Sequence, residues 1–104
     1  MAATVIGAGI TIEGEVASDD EVVIAGVLRG KLHAEGAVTV ESDGVVEADI
    51  GAPSVSIGGS VTGNVTAVTR VDLLSGGKLV GDVKAARLTI ADGAVFKGNV
   101  DMEG

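Results

Sequence analysis

A seven-residue pattern recurs six times along the 104-residue chain: apolar, Gly, apolar and small residues at alternate positions. Val61-x-Gly63-x-Val65-x-Ala67 is one clear copy. The central residues lie 16, 18, 15, 18 and 17 residues apart, so the repeat is about 17 residues long. Because repeats of this length are typical of stacked architectures, the pattern predicts a solenoid with one turn per copy. The central residues are Gly14, Gly30, Ala48, Gly63, Gly81 and Gly98.

A second alternating segment precedes each copy, as in Thr4-x-Ile6 and Val22-x-Ile24, and a glycine usually lies between the two. Alternating apolar residues indicate strands, so each repeat is predicted to contain three short strands. One repeat cannot bury its own apolar face, but repeats stacked in parallel can. We therefore predict an all-β, three-sided parallel β-solenoid of about six turns, roughly 25–30 Å tall at a strand spacing of about 4.8 Å.

The composition agrees with this fold, since 46% of the residues are hydrophobic but only 1% are aromatic. A core of small and β-branched side chains suits strands. We expect a glycine at each centre because only a tiny side chain fits inside a sharp corner, with Ala48 as a tolerated exception. The small residues that end the copies are expected to fill the next corner: Ala34, Ala52, Ala67 and Ala85.

The residues that alternate with these inward positions are expected to face solvent, and equivalent residues of successive turns form columns. One column alternates acid, base and acid over the first three turns, with Glu13, Arg29 and Glu47. Like residues stack in a parallel ladder, and like charges would repel there. We interpret the alternation as pairing that fixes the register of a solvated face. The neighbouring column, Glu15, Lys31 and Asp49, follows the same rule.

The sequence offers no arrangement typical of a catalytic, cofactor or metal site. The chain has no cysteine and one histidine, His33, which is predicted to face solvent. The acidic run Asp19-Asp20-Glu21 is interpreted as a loop between the first two turns. A net charge of −8 and the shortage of aromatic residues argue against direct binding of nucleic acid.

Two alternatives to a structural protein stay open. Left-handed β-helix acyltransferases repeat strict hexads, whereas inward residues here lie four apart around a glycine, as in Val61 and Val65, and turn length varies. Such enzymes also need a well-placed catalytic histidine and usually a loop insertion. We therefore expect no enzyme. A monomeric β-solenoid binding module, with frayed or covered ends, is the other alternative.

Both ends of the stack are expected to be open. The solenoid core is predicted to span residues 4–102, with a short tail at 1–3 and a C-terminal end at 103–104, which leaves no room for a cap. An open solenoid end exposes unpaired strand edges and a cross-section of the core, and it therefore favours polymerisation. The predicted interface residues are Ile6, Ile10 and Ile12 at the N-terminal end, and Leu88, Ile90, Val95, Phe96 and Val100 at the C-terminal end.

Phe96 is expected to carry the C-terminal contact, because it is the only aromatic residue and lies in the last copy of the repeat. Like ends are self-complementary about a two-fold axis, which favours alternating head-to-head and tail-to-tail joints. The charge distribution opposes this arrangement. Residues 1–52 carry ten acids and two bases, a net charge of −8, and residues 53–104 carry five of each. We expect salt screening and apolar burial to outweigh the repulsion.

The chain resembles the bactofilins, a family of bacterial cytoskeletal proteins. The resemblance rests on the opening Val5–Gly9 and Ile12–Val16, the six glycine-centred copies, and the closing Asp92–Met102. It implies a right-handed, three-sided β-helix that assembles end to end into non-polar filaments without nucleotide. It also implies a scaffold that positions cell-envelope or polar proteins in cell shape, appendage formation or chromosome segregation.

The resemblance and the sequence together imply a cytoplasmic protein whose first partner is itself. Client proteins of the cell wall or cell pole are the further partners that the resemblance implies. Many bactofilins carry an apolar N-terminal membrane-targeting stretch, and this chain has almost none. Location at the inner face of the cytoplasmic membrane therefore stays open, without support from these residues.

Overall fold

The computed structural model describes residues 4–102, and the predicted end segments 1–3 and 103–104 lie outside the described residues. The described chain consists of strands joined by short turns and bends. Its strands are β1 (Thr4–Ile6), β2 (Thr11–Ser18), β3 (Val22–Ile24), β4 (Val27–Ala34), β5 (Val38–Val40), β6 (Val45–Ile57), β7 (Ser60–Thr62), β8 (Val65–Leu73), β9 (Lys78–Ala85), β10 (Arg87–Ile90) and β11 (Val95–Met102).

All strand pairs are parallel, and they stack the repeats in register. The short segments form one ladder, in the order β1, β3, β5, the end of β6, the end of β8, and β10. The rest of the stack runs from β2 through β4 to the first part of β6, then to β7 and the start of β8, and on through β9 to β11. Leu28 lies beside Ile12 on one side and beside Val46 on the other, as the repeat predicts. The parallel solenoid of about six turns is therefore confirmed.

The core is a continuous column of aliphatic side chains inside the stack. Val22, Ile24 and Leu28 are fully buried, and no polar or charged residue is buried among the described residues. The small-residue column is also inside, since Ala34, Ala52, Ala67 and Ala85 are only 2–6% exposed. The molecule measures 31 × 24 × 22 Å, close to the height expected for six turns.

Five of the six copies have a glycine at their centre, and the structure requires it for a reason other than the one we predicted. Gly30 and Gly81 have φ of +122° and +132°, a conformation that L side chains rarely adopt. A Cβ on Gly30 would collide with the carbonyl oxygen of Gly14 in the turn before. The backbone angle at the glycine and the backbone of the neighbouring turn therefore exclude a larger residue at this position. Ala48 is inward and 5% exposed, and its φ is not positive.

In the fourth turn the strand is interrupted at Gly63, between β7 and β8, whereas the other turns carry one continuous strand across the central residue. Three strands per repeat therefore stay a prediction. The right-handed sense of the coil and the three-sided cross-section stay predictions.

Candidate polymerisation ends

The last turn ends the stack on two strands that are each paired on one side only. Within the described residues, β10 pairs with β8 and β11 pairs with β9, and no strand lies beyond them. Their outer backbone N–H and C=O groups therefore form an unpaired edge. Such an edge can accept a further strand from another chain.

The predicted C-terminal residues lie together on this last turn. Phe96 is partly buried and packs against the core, above Leu79 of the turn before. Leu88 is partly buried in the same way. Ile90 and Val100 are 50% and 40% exposed, although the equivalent residues of earlier turns are almost all buried. Val95 is 44% exposed but belongs to an outward column, in which Val45 and Lys78 are also exposed, so it is not part of the core cross-section. The structure thus places a partly uncovered cross-section of the core at this end.

The first turn has the same one-sided pairing. Here β1 pairs with β3 and β2 pairs with β4, with no strand before them in residues 4–102. Ile10 is 48% exposed and Ile12 is partly buried against the core. Both therefore lie where the sequence predicted them, at the open N-terminal end.

Ile6 differs from the prediction, because it is only 2% exposed. It is the inward residue of β1, and it joins the core beside Ile24. The Ile10 Cδ1 atom lies 3.7 Å from the place of a Cβ on Gly7, so Ile10 folds back over the turn that follows Ile6. Ile6 in this conformation is a core residue and offers little surface to a partner.

Sequence reasoning missed Val16 at the N-terminal end. Val16 is only partly buried and packs against the core beside Leu32. It occupies the same column as Val100 at the other end, and both follow the central glycine by two residues. The repeat itself therefore contained the signal, since the residue equivalent to Val100 in the first copy belongs to the N-terminal face.

The predicted charge alternation is present in one of the two columns. Arg29 lies between two acids, with its Nε 3.0 Å from Glu47 and an Nη 3.7 Å from Glu13. All three side chains are at least half exposed, so the pairs are individually weak. In the second column, Lys31 forms no ion pair within residues 4–102.

The remaining polar side chains are scattered over the outside. His33 is exposed, as predicted. Across the part of the chain that the structure describes, no three His, Cys, Asp or Glu side chains lie close enough together to hold a metal ion. The same residues include no helix that is long and apolar enough to span a membrane.

Comparison with known proteins gives consistent matches over the whole solenoid. The family model described as "Bactofilin: Polymer-forming cytoskeletal" matches residues 4–101. Bactofilin BacO of Myxococcus xanthus is 52% identical over 103 residues, which cover 99% of this chain and 82% of BacO. A Thermus thermophilus bactofilin, solved by cryo-EM as double helical filaments, has a TM-score of 0.88 at 30% identity, over 96% of this chain and 99% of that one. The cytoskeletal bactofilin BacA, solved by solid-state NMR, gives 0.88 at 31% identity, over 98% of this chain and 97% of BacA.

Proposed function

This chain belongs to the bactofilin family of polymer-forming cytoskeletal proteins, and we propose that it polymerises through the two open ends of its solenoid. The family assignment favours this function over an acyltransferase-like enzyme or a monomeric binding module. The observation that carries the proposal is the last turn. It combines an unpaired strand edge with five apolar side chains, none of which the subunit itself covers completely: Leu88, Ile90, Val95, Phe96 and Val100.

Joining two ends would cover the unpaired strand edges and the exposed apolar side chains at the same time. A strand added to the edge pairs its free backbone groups, and the exposed core residues lose contact with water. An aromatic side chain such as Phe96 can bury on the order of 150–250 Å² in such a contact. At the N-terminal end, Ile10, Ile12 and Val16 would play the corresponding part, with Ile6 supporting them from the core.

We propose further that the protein is structural rather than catalytic, and that assembly needs no nucleotide. The favourable free energy comes from strand pairing and apolar burial, and both are available as soon as two ends meet. We also propose that like ends join, so that the filament has no polarity. A two-fold axis between identical ends makes every contact self-complementary.

In the cell, we propose a cytoplasmic scaffold. Filaments would repeat the outward faces of the solenoid every subunit and so present many equivalent docking places to proteins of the cell envelope or cell pole. Cell shape, appendage formation and chromosome segregation are the processes that the family resemblance implies. Attachment to the inner face of the cytoplasmic membrane is not part of the proposal.

The proposal is tested by changing Phe96 to Arg and imaging the purified protein by electron microscopy. An arginine at this place puts an unpaired charge into the joint, at a cost on the order of several kcal/mol. The expected product is a folded monomer or a dimer joined through its N-terminal ends, with the circular dichroism spectrum of the unchanged protein. Asn99→Arg is the matched control, because Asn99 lies on the same strand and is exposed.

The two variants together distinguish loss of the end-to-end contact from loss of the fold. Long filaments with Asn99→Arg and none with Phe96→Arg are expected. If Phe96→Arg still formed long filaments, the C-terminal contact would lie elsewhere. An unfolded Phe96→Arg protein would assign Phe96 to the core instead.

A further inference from the structure

The sequence contains two Asp-Gly pairs, and the structure surrounds them in different ways. Asp43-Gly44 lies in the turn that precedes β6, and Asp92-Gly93 lies in the turn that precedes β11, in the last turn of the solenoid. An aspartate followed by glycine is prone to isomerise, because glycine has no side chain to hinder attack of its backbone nitrogen on the aspartate carboxyl group. In a folded protein, the reaction depends on how freely that nitrogen can move.

The nitrogen of Gly44 is fixed by contacts on both sides. It donates a hydrogen bond to the carbonyl oxygen of Glu41, with 2.8 Å between the two atoms, and Gly44 itself is buried. The Gly44 carbonyl oxygen accepts a hydrogen bond from the Ser60 nitrogen of the next turn, at 3.0 Å. A Cβ on Gly44 would collide with the carbonyl oxygen of Ile24 in the turn before. Attack on Asp43 would therefore require local opening of the stack.

The nitrogen of Gly93 has none of these restraints. Asp92 and Gly93 are both exposed and occupy the central positions of a β-turn, in which the Ala94 nitrogen donates to the carbonyl oxygen of Ala91 at 3.1 Å. Within residues 4–102, the Gly93 nitrogen donates no hydrogen bond. The φ of Gly93 is +89°, and β-turn types I and II differ mainly by rotation of the central peptide, so this peptide can turn while the flanking residues stay in place.

We propose that Asp92 is a site of spontaneous isoaspartate formation, and that a subunit modified there cannot make the C-terminal end-to-end contact. The Gly93 nitrogen attacks Cγ of the protonated Asp92 carboxyl group, and the nitrogen's proton leaves with the carboxyl hydroxyl as water, which gives a cyclic imide. Water then adds to the former main-chain carbonyl carbon of Asp92 and breaks its bond to the Gly93 nitrogen. The product has the original mass and one free carboxyl group, but its main chain now runs through Cβ and Cγ of residue 92.

The lengthened main chain lies between two residues that are bonded to the turn before. The Ala91 nitrogen donates to the carbonyl oxygen of Leu73 at 2.8 Å, and the Val95 nitrogen donates to that of Gly77 at 2.9 Å. The segment between these two anchors has to accommodate one more bond, which displaces Ala94 from its contact with the core. Because β11 begins directly after this segment, the apolar surface at the C-terminal end changes as well. This effect on assembly rests on the proposed function, whereas the isomerisation itself does not.

The isomerisation is tested by keeping the unchanged protein for weeks at neutral pH and body temperature, unfolding it and digesting it with trypsin. Cleavage after Arg87 and Lys97 releases residues 88–97, and cleavage after Lys31 and Arg70 releases residues 32–70, so each peptide contains one Asp-Gly pair. Isoaspartate is recognised by a changed retention time at unchanged mass, and by methylation with protein isoaspartate methyltransferase and S-adenosylmethionine.

Asp92 is expected to convert at least about tenfold faster than Asp43 in the folded protein, because reaction at Asp43 first requires loss of the Gly44 hydrogen bond and of close stacking. In protein kept in denaturant, the two aspartates are expected to convert at similar rates. Asp92→Glu is the matched variant, since it keeps the charge but forms the larger cyclic imide much more slowly, and no modified 88–97 peptide is expected from it. Equal rates in the folded protein, or faster conversion of Asp43, would overturn the assignment.

A second measurement tests the effect on assembly. The aged protein is dissolved in denaturant, refolded and allowed to assemble, and the filaments are then sedimented, so that modified and unmodified subunits compete equally. The 88–97 peptide from the supernatant is expected to contain isoaspartate at several times the fraction found in the pellet, because a subunit with one usable end can only terminate a filament. Equal fractions would overturn the effect on the end contact. If fresh protein formed no filaments, the proposed function would fail, while the peptide analysis would still decide the reaction at Asp92.

Discussion

In β9, Gly81 has φ of +132°, and a Cβ there would collide with the carbonyl oxygen of Gly63 in the turn before. Gly14 has nearly the same conformation, with φ of +128°, but a Cβ on it would meet no atom within 4 Å. The difference arises because Gly14 belongs to the first turn and has no turn stacked before it. The two glycines therefore separate the cost of the backbone angle from the cost of close stacking.

Replacing each of these glycines by alanine measures the two costs. Gly14→Ala is expected to lower the free energy of unfolding by about 1–3 kcal/mol, the usual penalty for a non-glycine residue in a sparsely populated backbone region. Gly81→Ala is expected to cost clearly more, because the strand must also move away from Gly63. Chemical denaturation in a background that carries both Ile12→Arg and Phe96→Arg, which blocks both ends and keeps the protein monomeric, provides the measurement. Equal losses of unfolding free energy in the two variants would mean that close stacking adds no cost to that of the backbone angle.

At the scale of the strands, the repeat specified the register that the structure adopts. The inward column Ile12, Leu28, Val46, Val61, Leu79 and Phe96 is continuous through the ladder pairs. The alternation of inward and outward residues is enough to fix this register, because a slip by one residue would turn every apolar side chain outward. The charged column supports the same register, since Arg29 reaches the acids of both neighbouring turns.

Reversing a charge in each outward column tests the role of the ladder. Arg29→Glu and Lys31→Glu both place three acids in a row, but only Arg29 forms ion pairs in the unchanged protein. Arg29→Glu is therefore expected to lower stability by about 1 kcal/mol more than Lys31→Glu at low salt. Thermal unfolding at low and high salt checks this, and the difference should shrink as salt rises. A difference that salt does not change would point to packing rather than charge.

Two features of the structure could not be predicted from the alternation of inward and outward residues. Ile6 has the spacing of an end residue, but its burial depends on how the 7–10 turn folds back, which the alternating pattern does not describe. A bulge at Val68, where Pro53 of one turn lies opposite both Val68 and Thr69 of the next, depends on which of the two turns has the extra residue. The spacing of the central residues gives only the total length of a turn. The one-sided strand pairing of the first and last copies within residues 4–102 could be predicted, because each of these copies has a stacked neighbour on one side only.

At the scale of the whole molecule, the charge is distributed along the axis. The N-terminal half has a net charge of −8 and the C-terminal half is neutral, since residues 1–52 carry ten acids and two bases and residues 53–104 carry five of each. A head-to-head joint therefore brings two acidic halves together, whereas a tail-to-tail joint does not. The tail-to-tail joint, built around Phe96, is expected to be the stronger one at low salt.

Blocking one end at a time reveals the polarity of the filament. If like ends join, Phe96→Arg leaves dimers joined through the N-terminal ends, and Ile12→Arg leaves dimers joined through the C-terminal ends. If unlike ends join, either change alone leaves monomers. Light scattering coupled to gel filtration distinguishes these outcomes, with Ala17→Arg as the control on the exposed side of the same strand as Ile12. We expect dimers from both variants.

The most direct test of end-to-end assembly is the direction of the strand spacing within filaments of the unchanged protein, prepared without nucleotide and measured by cryo-electron microscopy or fibre diffraction. If solenoid ends join by strand stacking, the spacing of about 4.8 Å runs along the filament axis, and six turns give a subunit rise of about 29 Å. A spacing of about 4.8 Å across the filament axis, or the absence of filaments under these conditions, would contradict the account.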